Sequence, residues 1–497
     1  MKIFLVGMMG SGKSTLAKMI SKVLSIPYLD MDEEIEAREN KTIKEIFEKN
    51  GESYFRDLES SLLKSLVKQP DSVVVATGGG IVLRPDNREL LKKETTIYLK
   101  VSPQELKKRV STDNRPLLSN NIDNIFTIYD ERINLYELFE SVDITYLNEW
   151  EAVAIILQKV DYKKNLCIDS SFQKIHIEAG SLKNIPKNAI VFTSEKVDSL
   201  YGEFFTNKKL VFPNGEEVKD IVYVTKAWEY LLENNVTRKD LLCGVGGGTI
   251  TDFTGFVGST YKRGMNFIFY PTTLLGQIDA AIGGKNGIDF KKYKNVIGTI
   301  NLPNEVIIDP ITTLSLDDIR FREGLIEGFK ISLISGGEFY TFFKDHLYDL
   351  LNRNLDTLTW FIKRSVEEKL RIVQQDFKDT GLRSYLNLGH SLGHAFEAVT
   401  GIAHGLSVGW GLYQELMYSK NKKHIDDRTL YDIISILDVL LPSSIKNIKV
   451  EKNALMNYLS NDKKMEGSNI IKLPLLKEPG EVIIKEIDYH ELVNTLF

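Results

Sequence analysis

The run Gly7-Met8-Met9-Gly10-Ser11-Gly12-Lys13-Ser14, set between the apolar stretch KIFLV and a segment of helical periodicity, constrains this chain more than any other feature. A glycine-rich turn between strand and helix gathers backbone amides around an anion, and the helix dipole adds to their pull. In that setting Gly10, Ser11 and Gly12 line a phosphate cradle, Lys13 reaches the outer phosphates, and Ser14, followed by Thr15, offers a hydroxyl to Mg2+. A strand feeding such a helix implies a parallel sheet covered by helices. Apolar runs recur at 73–76 and 96–99 between helix-like segments, as that architecture requires.

At 497 residues the chain exceeds one ordinary core, so two or three domains are expected. The boundary is placed near Tyr162, after the amphipathic segment EWEAVAIILQKV, giving 1–160 and 161–497. A composition of 43% hydrophobic and 26% charged residues is that of a globular protein, and a net charge of -5 speaks against nucleic acid as a partner. The two cysteines, Cys167 and Cys243, lie far apart in apolar runs and fit a reducing, cytoplasmic setting. The opening apolar run stops at Gly7, too soon for a signal peptide, and no run reaches membrane-spanning length.

Within the first half, Asp30 and Asp32 in PYLDMD are read at the end of a strand, where residues two apart share a face. One would support Mg2+ and the other accept from a substrate hydroxyl; a helix N-cap followed by a first-turn acid is the alternative. Ser102-Pro-Gln-Glu105 predicts a capping box opening a helix towards Arg109. Arg56, the Gly78-Gly79-Gly80 turn and Arg132 offer guanidiniums and close backbone approach to an acidic substrate. Arg115, in NRPLL, lies in a polar stretch suited to a mobile lid. In order, GMMGSGKS, DMD, FR, GGG, RPLL and ERINLYE resemble shikimate kinase over residues 1–160. The resemblance implies that ATP and Mg2+ meet Gly10, Ser11, Gly12, Lys13, Ser14, Thr15 and Asp30, with Arg109 on adenine. It further implies that Asp32, Arg56, Gly78, Gly79, Gly80 and Arg132 hold shikimate, and that Lys13 and Arg115 are catalytic.

The second half alternates strand-like runs (LCID, KIHIEAG, AIVFTS, KLVFP, LLCGVGGG, NFIFYPTT) with helical stretches to about residue 310, then turns to long amphipathic segments. Gly246-Gly247-Gly248, after an apolar run and before a helix, suits a dinucleotide pyrophosphate at a helix N-terminus. Glu216 and Lys219 stand three apart and, alone, read as a solvated ion pair. His390 and His394 are spaced i, i+4 on one helix face, and His404 follows in a Gly-flanked turn. Such a cluster points to a metal, although spacing does not choose a carboxylate partner from so many acids; Glu327 in GLIEGFK is one that can serve.

GGGTITD, PTTLLGQIDAAIGGK, GLIEGFK, GLRSYLNLGHSLGH and NDKKMEG resemble 3-dehydroquinate synthase across about 170–475. The resemblance implies Zn2+ or Co2+ on Glu327, His390 and His404, and NAD+ at Glu216, Lys219, Gly247, Gly248, Asp252, Thr272, Thr273 and Lys294. Around a heptulosonate phosphate it implies Arg263, Asp279, Lys285, Lys294, Asn295, Lys330, Lys369, Arg383, Asn387, His394 and Lys463, with Lys285, Lys330 and His394 catalytic. NAD+ would be reduced and regenerated within one turnover. Two departures from the family pattern stand out: Ser194 and Lys196 replace its usual Asp and Asn after the first nucleotide-domain strand, and Leu406 replaces the Glu after His404-Gly.

The expected fold class is therefore α/β. It comprises a P-loop kinase domain with a parallel sheet over 1–160, an α/β NAD-binding part over about 165–312 and a mainly helical metal- and substrate-binding part over about 313–497. Expected partners are small molecules and a second copy of the chain through the synthase half, with no nucleic acid and no membrane. The rivals are a metal-dependent polyol dehydrogenase for the second half and a regulatory nucleotide-binding module for the first. The phosphate-cradling lysines and the intact Asp30, Asp32, Arg56 and Arg115 favour two catalysts.

Overall fold

Ile3, Phe4, Leu5 and Val6 are all fully buried, the mark of a central strand covered on both faces rather than an alternating edge strand. This strand, β1 (Lys2–Val6), pairs in parallel with β3 (Val73–Ala76) and β4 (Thr95–Lys100). With β2 (Tyr28–Asp30) and β5 (Glu140–Asp143) the order is β2-β3-β1-β4-β5, parallel throughout. The connections leave β1 to one side and return on the other, so a crevice opens at its C-terminal end, where the glycine loop lies. The helix Lys13–Leu24 follows, burying Leu16, Ala17, Ile20, Val23 and Leu24, and stops at Ser25 in the left-handed region.

The computed structural model describes every residue except 111–120, 163, 169, 292, 378–380, 465–468 and 497, and gives 461–464 without side chains. Arg115 and the side chain of Lys463 therefore lie outside the described residues. The chain divides into two compact units, Met1–Tyr162 with Asn352–Leu355, and Lys163–Leu351 with Asp356–Phe497.

Two local expectations change in the first unit. β2 ends at Asp30, and Asp32 stands in the first turn of the helix Met31–Glu39. Asp30 caps that helix, its Oδ1 accepting from Asp32 N at 2.9 Å, so the two carboxylates do not share a strand face. The N-cap wins because a carboxylate there satisfies an amide the helix leaves orphaned. Ser102 does cap the helix Pro103–Arg109 by accepting from Glu105 N. The reciprocal half of the predicted box is absent among the described contacts: Ser102 N donates to Thr145 Oγ1 at 3.0 Å, and Glu105 pairs with Lys108 and Arg109.

In the second unit the strands are β6 (Asn165–Ile168), β7 (Ile175–Glu178), β8 (Ile190–Ser194), β9 (Lys209–Phe212), β10 (Leu241–Gly246), β11 (Asn266–Pro271) and β14 (Glu305–Ile308). They form one sheet ordered β6-β7-β14-β11-β10-β8-β9, antiparallel only between β6 and β7. An antiparallel hairpin of β12 (Lys285–Phe290) and β13 (Tyr293–Ile300) stands apart from that sheet. The sequence reading gives no strand there or at β14. β13 has no buried residue, so it lacks the apolar run by which the other strands are recognised. The following part is helical, with Asp318–Ser335, Leu355–Gln375, His390–Thr400, His404–Asn421 and Asp427–Leu440 the main helices. It closes with a further hairpin, β15 (Ile470–Glu478) with β16 (Glu481–Asp488), before a short final helix. No helix among the described residues is long and apolar enough to cross a membrane.

Candidate functional site

In the first unit the glycine loop is braced by its own lysine. Lys13 Nζ donates to the carbonyls of Gly7 and Met8 at 2.9 and 2.8 Å, and the buried Ser11 Oγ has no hydrogen-bond partner among the described residues. Gly12 caps the helix in the left-handed region, and Thr15 is exposed on its first turn. Ser14 Oγ donates to Asp30 Oδ2 at 2.5 Å, which joins loop and carboxylate at one point even though Asp30 is a helix cap.

Around the Gly78–Gly80 turn four charged groups converge. A Cβ on Gly78 would stand 2.2 Å from Glu59 Oε1 and 2.8 Å from Asp32 Oδ1, and one on Gly80 would stand 2.0 Å from Arg56 Nη1. Arg132 donates to Gly79 O at 3.1 Å, as does the Tyr136 hydroxyl at short range. Arg56 is held by Glu59 at 2.5 Å and Glu52 at 2.8 Å. Burial pushes the Glu59 carboxyl up to about 7 against the opposing pull of Arg56. Sequence reading misses Glu59, although its i, i+3 offset from Arg56 on one helix is an available signal. Arg109 closes its helix, bonded to Thr145 O at 2.9 Å and to Glu105.

In the second unit a cavity of about 590 Å3 brings together Asp252, Asp279, Lys285, Asn295, Glu327, Lys330, Lys369, Arg383, Asn387 and His390. Lys369 Nζ contacts Asp279 Oδ1 at 2.6 Å and its carbonyl at 2.5 Å. Burial raises the Asp279 carboxyl, but Lys369 and Lys330 outweigh it and hold the group low, while burial lowers Lys369 itself. Asp279 sits in a π-helical turn, Gly276–Ala280, packed beside the glycine turn: a Cβ on Gly248 would stand 2.8 Å from Ala280 Cβ. A Cβ on Gly247 would meet Thr273 Cγ2 at 3.0 Å, and Thr272 N donates to Gly246 O at 2.8 Å.

Glu216 and Lys219 do not form the solvated pair that spacing favours. They lie on a 3-10 turn and are 4.0 Å apart, while the buried Lys219 donates to Asp252 Oδ2 at 2.7 Å and Asn295 Oδ1 at 2.8 Å. Glu216 instead meets Lys294 at 2.9 Å. Arg263 stands exposed outside the cavity, on the turn Tyr261–Arg263. Ser194 ends β8, and the Lys196 amide donates to Asn214 Oδ1 at 2.8 Å.

His390 and His394 share one helix; His404 opens the next rather than lying in a turn. Their ligand atoms all lie within 4.8 Å of one another. Glu327 is not in that trio. One of its oxygens takes Lys330 Nζ, one turn on, because a carboxylate 1% exposed needs a cation. Its other oxygen, Oε2, is buried without a hydrogen-bond partner among the described residues, and its charge helps raise the pKa of His404. A carboxylate oxygen left free in the cavity that His390 also lines, with its charge felt by His404, is a donor set that fits zinc or cobalt. Burial and the positive charge of Lys330 hold His390 neutral, as a ligand must be. Burial lowers His404, but Glu397, whose Oε2 accepts from Nδ1 at 3.0 Å, together with the charges of Glu327 and Asp279, outweighs it and holds the imidazole above its ordinary value. Glu397, unnoticed in the sequence, lies i+3 from His394.

A phosphate-binding loop faced by a carboxylate in one unit, and a cavity lined by Lys285, Lys330, Lys369, Arg383 and His390 in the other, are the two sites of a double-headed enzyme that works on phosphorylated small molecules. A family model described as shikimate kinase matches residues 9–160; 3-dehydroquinate synthase N-terminal and C-terminal models match 209–323 and 324–465. The chain is 46% identical over all 497 residues to the bifunctional shikimate kinase/3-dehydroquinate synthase of Thermotoga maritima, covering 100% of both. It is 38% identical over 339 residues to the 3-dehydroquinate synthase of Thermoplasma volcanium, 63% of this chain and 88% of that one. A 2-epi-5-epi-valiolone synthase from Streptomyces hygroscopicus, solved with NAD+ and Zn2+ bound, shares the fold of the second unit. Its TM-score is 0.60 and its identity 22%, over 67% of this chain and 98% of that one. The chain belongs to the family of bifunctional shikimate kinase/3-dehydroquinate synthases.

Proposed function

We propose that residues 1–160 transfer the γ-phosphoryl group of ATP to shikimate, and that residues 161–497 convert 3-deoxy-D-arabino-heptulosonate 7-phosphate to 3-dehydroquinate and phosphate. Both are cytoplasmic steps of aromatic amino-acid biosynthesis. The observation that carries the reading is the 46% identity along the full length to a protein with both activities.

In the kinase half, Lys13 and Arg115 stabilise charge on the moving phosphoryl group, while the Ser14–Asp30 pair serves Mg2+ and Arg109 the adenine. Asp32 accepts from the attacking hydroxyl of shikimate; Arg56 and Arg132 bind its carboxylate against the Gly78–Gly80 turn. Glu59 holds Arg56 in place for that contact.

In the synthase half, Glu327, His390 and His404 would hold Zn2+ or Co2+, and Gly247, Gly248, Asp252, Lys219, Thr272 and Thr273 would receive NAD+. When bound, the ion supplies positive charge to a substrate oxygen and the dinucleotide a reversible hydride acceptor. Lys285, Lys330, Lys369, Arg383 and Asn387 bind and orient the phosphorylated substrate, and the lysines neutralise charge on the departing phosphate. His394, next to the trio's other imidazoles, is placed to move a proton at the substrate. The active form is a dimer through the synthase unit.

Supplying shikimate with ATP, and separately the heptulosonate phosphate with NAD+ and Zn2+, should give shikimate phosphate and dehydroquinate from one preparation. Net NADH accumulation in the synthase assay would support the polyol dehydrogenase instead. Failure of shikimate to stimulate ATP consumption would leave the first unit a regulatory module. Fragments 1–160 and 165–497 should each retain one activity, and sedimentation should give twice the chain mass.

A further inference from the structure

Glu397 uses both carboxylate oxygens on groups that the cofactor and metal assignments place at different ends of the synthase site. Oε2 is 3.0 Å from His404 Nδ1, and Oε1 is 2.8 Å from Lys294 Nζ. Lys294, on the free-standing hairpin, also reaches Glu216 at 2.9 Å. The next residue, Asn295, accepts from Lys219 at 2.8 Å, and Lys219 holds Asp252 on the helix that follows the glycine turn. The turn Glu216–Lys219 and β13 are thus joined twice, and Glu397 carries that joint across to the helix bearing His390 and His394.

We propose that Glu397 is a positioning residue that couples the two ligands of this site: it fixes His404 for the metal and, through Lys294 and Glu216, makes metal binding and dinucleotide binding reinforce each other. The inference rests on the metal and NAD+ reading above. An imidazole that coordinates through Nε2 must carry its proton on Nδ1, and an acceptor there sets both tautomer and ring orientation. Glu397 is that acceptor, and its side chain is only 18% exposed. The Lys294–Glu216 contact alone is an exposed ion pair of the kind that contributes little. With Glu397 as a third member it spans the helix of the histidines and the turn on the nucleotide side. Ordering one end therefore lowers the cost of ordering the other.

The test is binding rather than turnover. Zn2+ affinity of the full chain is measured by competition with a chromophoric chelator, with and without saturating NAD+, and NAD+ affinity by calorimetry with and without Zn2+. Linkage requires the two enhancements to be equal, and the expected size is about fivefold or more. Glu397→Gln should weaken Zn2+ by about 10- to 100-fold, change the visible absorption of the Co2+-loaded protein, and erase the enhancement. Lys294→Gln, which leaves the Glu397 contact to His404 in place, should keep Zn2+ affinity within about threefold yet erase the enhancement, with NAD+ affinity in the absence of Zn2+ measured alongside to account for any direct contact of Lys294 with the dinucleotide. A Glu397→Gln protein that binds Zn2+ as the wild type does, or a Lys294→Gln protein that retains the enhancement, would overturn the proposal. Should Glu397→Gln not fold, the Lys294→Gln result decides alone. A wild type that binds neither Zn2+ nor NAD+ would instead overturn the cofactor reading itself.

Discussion

The glycine loop of the kinase unit and the glycine turn of the synthase unit both follow a strand and open a helix, but they need glycine for different reasons. Gly12 has φ +82, a conformation side chains resist, and nothing lies within 4 Å of where its Cβ would be. Gly248 has an ordinary helical backbone, yet a Cβ there would fall 2.8 Å from Ala280 Cβ. The former glycine answers to torsion and the latter to space. An anion cradle built from curled backbone must bend the chain, whereas one built at a straight strand-to-helix junction must let neighbouring elements close in.

The largest expected effect separates the two sites altogether. Lys13→Ala should lower shikimate phosphorylation by at least about 100-fold and leave dehydroquinate formation near wild type, and His390→Ala should do the reverse. Loss of both reactions from either substitution in a folded protein would break the two-site reading.

Next, Gly248→Ala should cost about 1–3 kcal/mol through overpacking and reduce synthase kcat/KM, since Ala280 adjoins Asp279 in the π-helical turn. The double variant Gly248→Ala with Ala280→Gly should recover most of that activity. Without recovery, the glycine would be serving the approach of a ligand rather than of Ala280. Gly12→Ala should destabilise the kinase unit by about 1–2 kcal/mol through left-handed strain, read as loss of kinase activity in urea. No neighbouring substitution should rescue it.

The smallest effect is a slope. Glu59 binds its proton more tightly folded than unfolded, with a pKa near 7 rather than 4.5. Its contribution is therefore full below about pH 4.5 and lost as pH rises through about 7. Urea midpoints of kinase inactivation between pH 5 and 8 should fall in the wild type relative to Glu59→Gln. Parallel lines would show that Arg56 keeps Glu59 ionised throughout.

What can be read from the sequence follows from how local each signal is. β1, its loop and its helix are contiguous, and most strands of the two main sheets announce themselves by an apolar run; β14 carries one too, Val306-Ile307-Ile308, but too short to stand out, and β5, with Val142 its only buried residue, has none. The exposed β13 has no such run. The family resemblance is what puts Asp30 with Ser14, which the structure joins by a hydrogen bond, while the strand-face reading of Asp30 and Asp32 gives way to the N-cap alternative because strand end and helix cap differ by a single residue. Glu59 and Glu397 escape selection for another reason: each is one of many acids at helical spacing from a basic partner, and only tertiary packing shows which pairs are enclosed. Lys219 shows the converse, since its obvious neighbour in sequence is not the partner that the fold supplies.

The pairing of these synthase lysines with carboxylates has a consequence for traffic through the site. Lys219 faces Asp252, Lys330 faces Glu327, Lys369 faces Asp279, and Lys294 lies between Glu216 and Glu397. An incoming phosphate thus meets an exchanger already loaded with carboxylate counter-charges rather than a bare cationic well. Entry of an anion would then be a swap of partners, in which each lysine gives up a carboxylate as it takes on the newcomer.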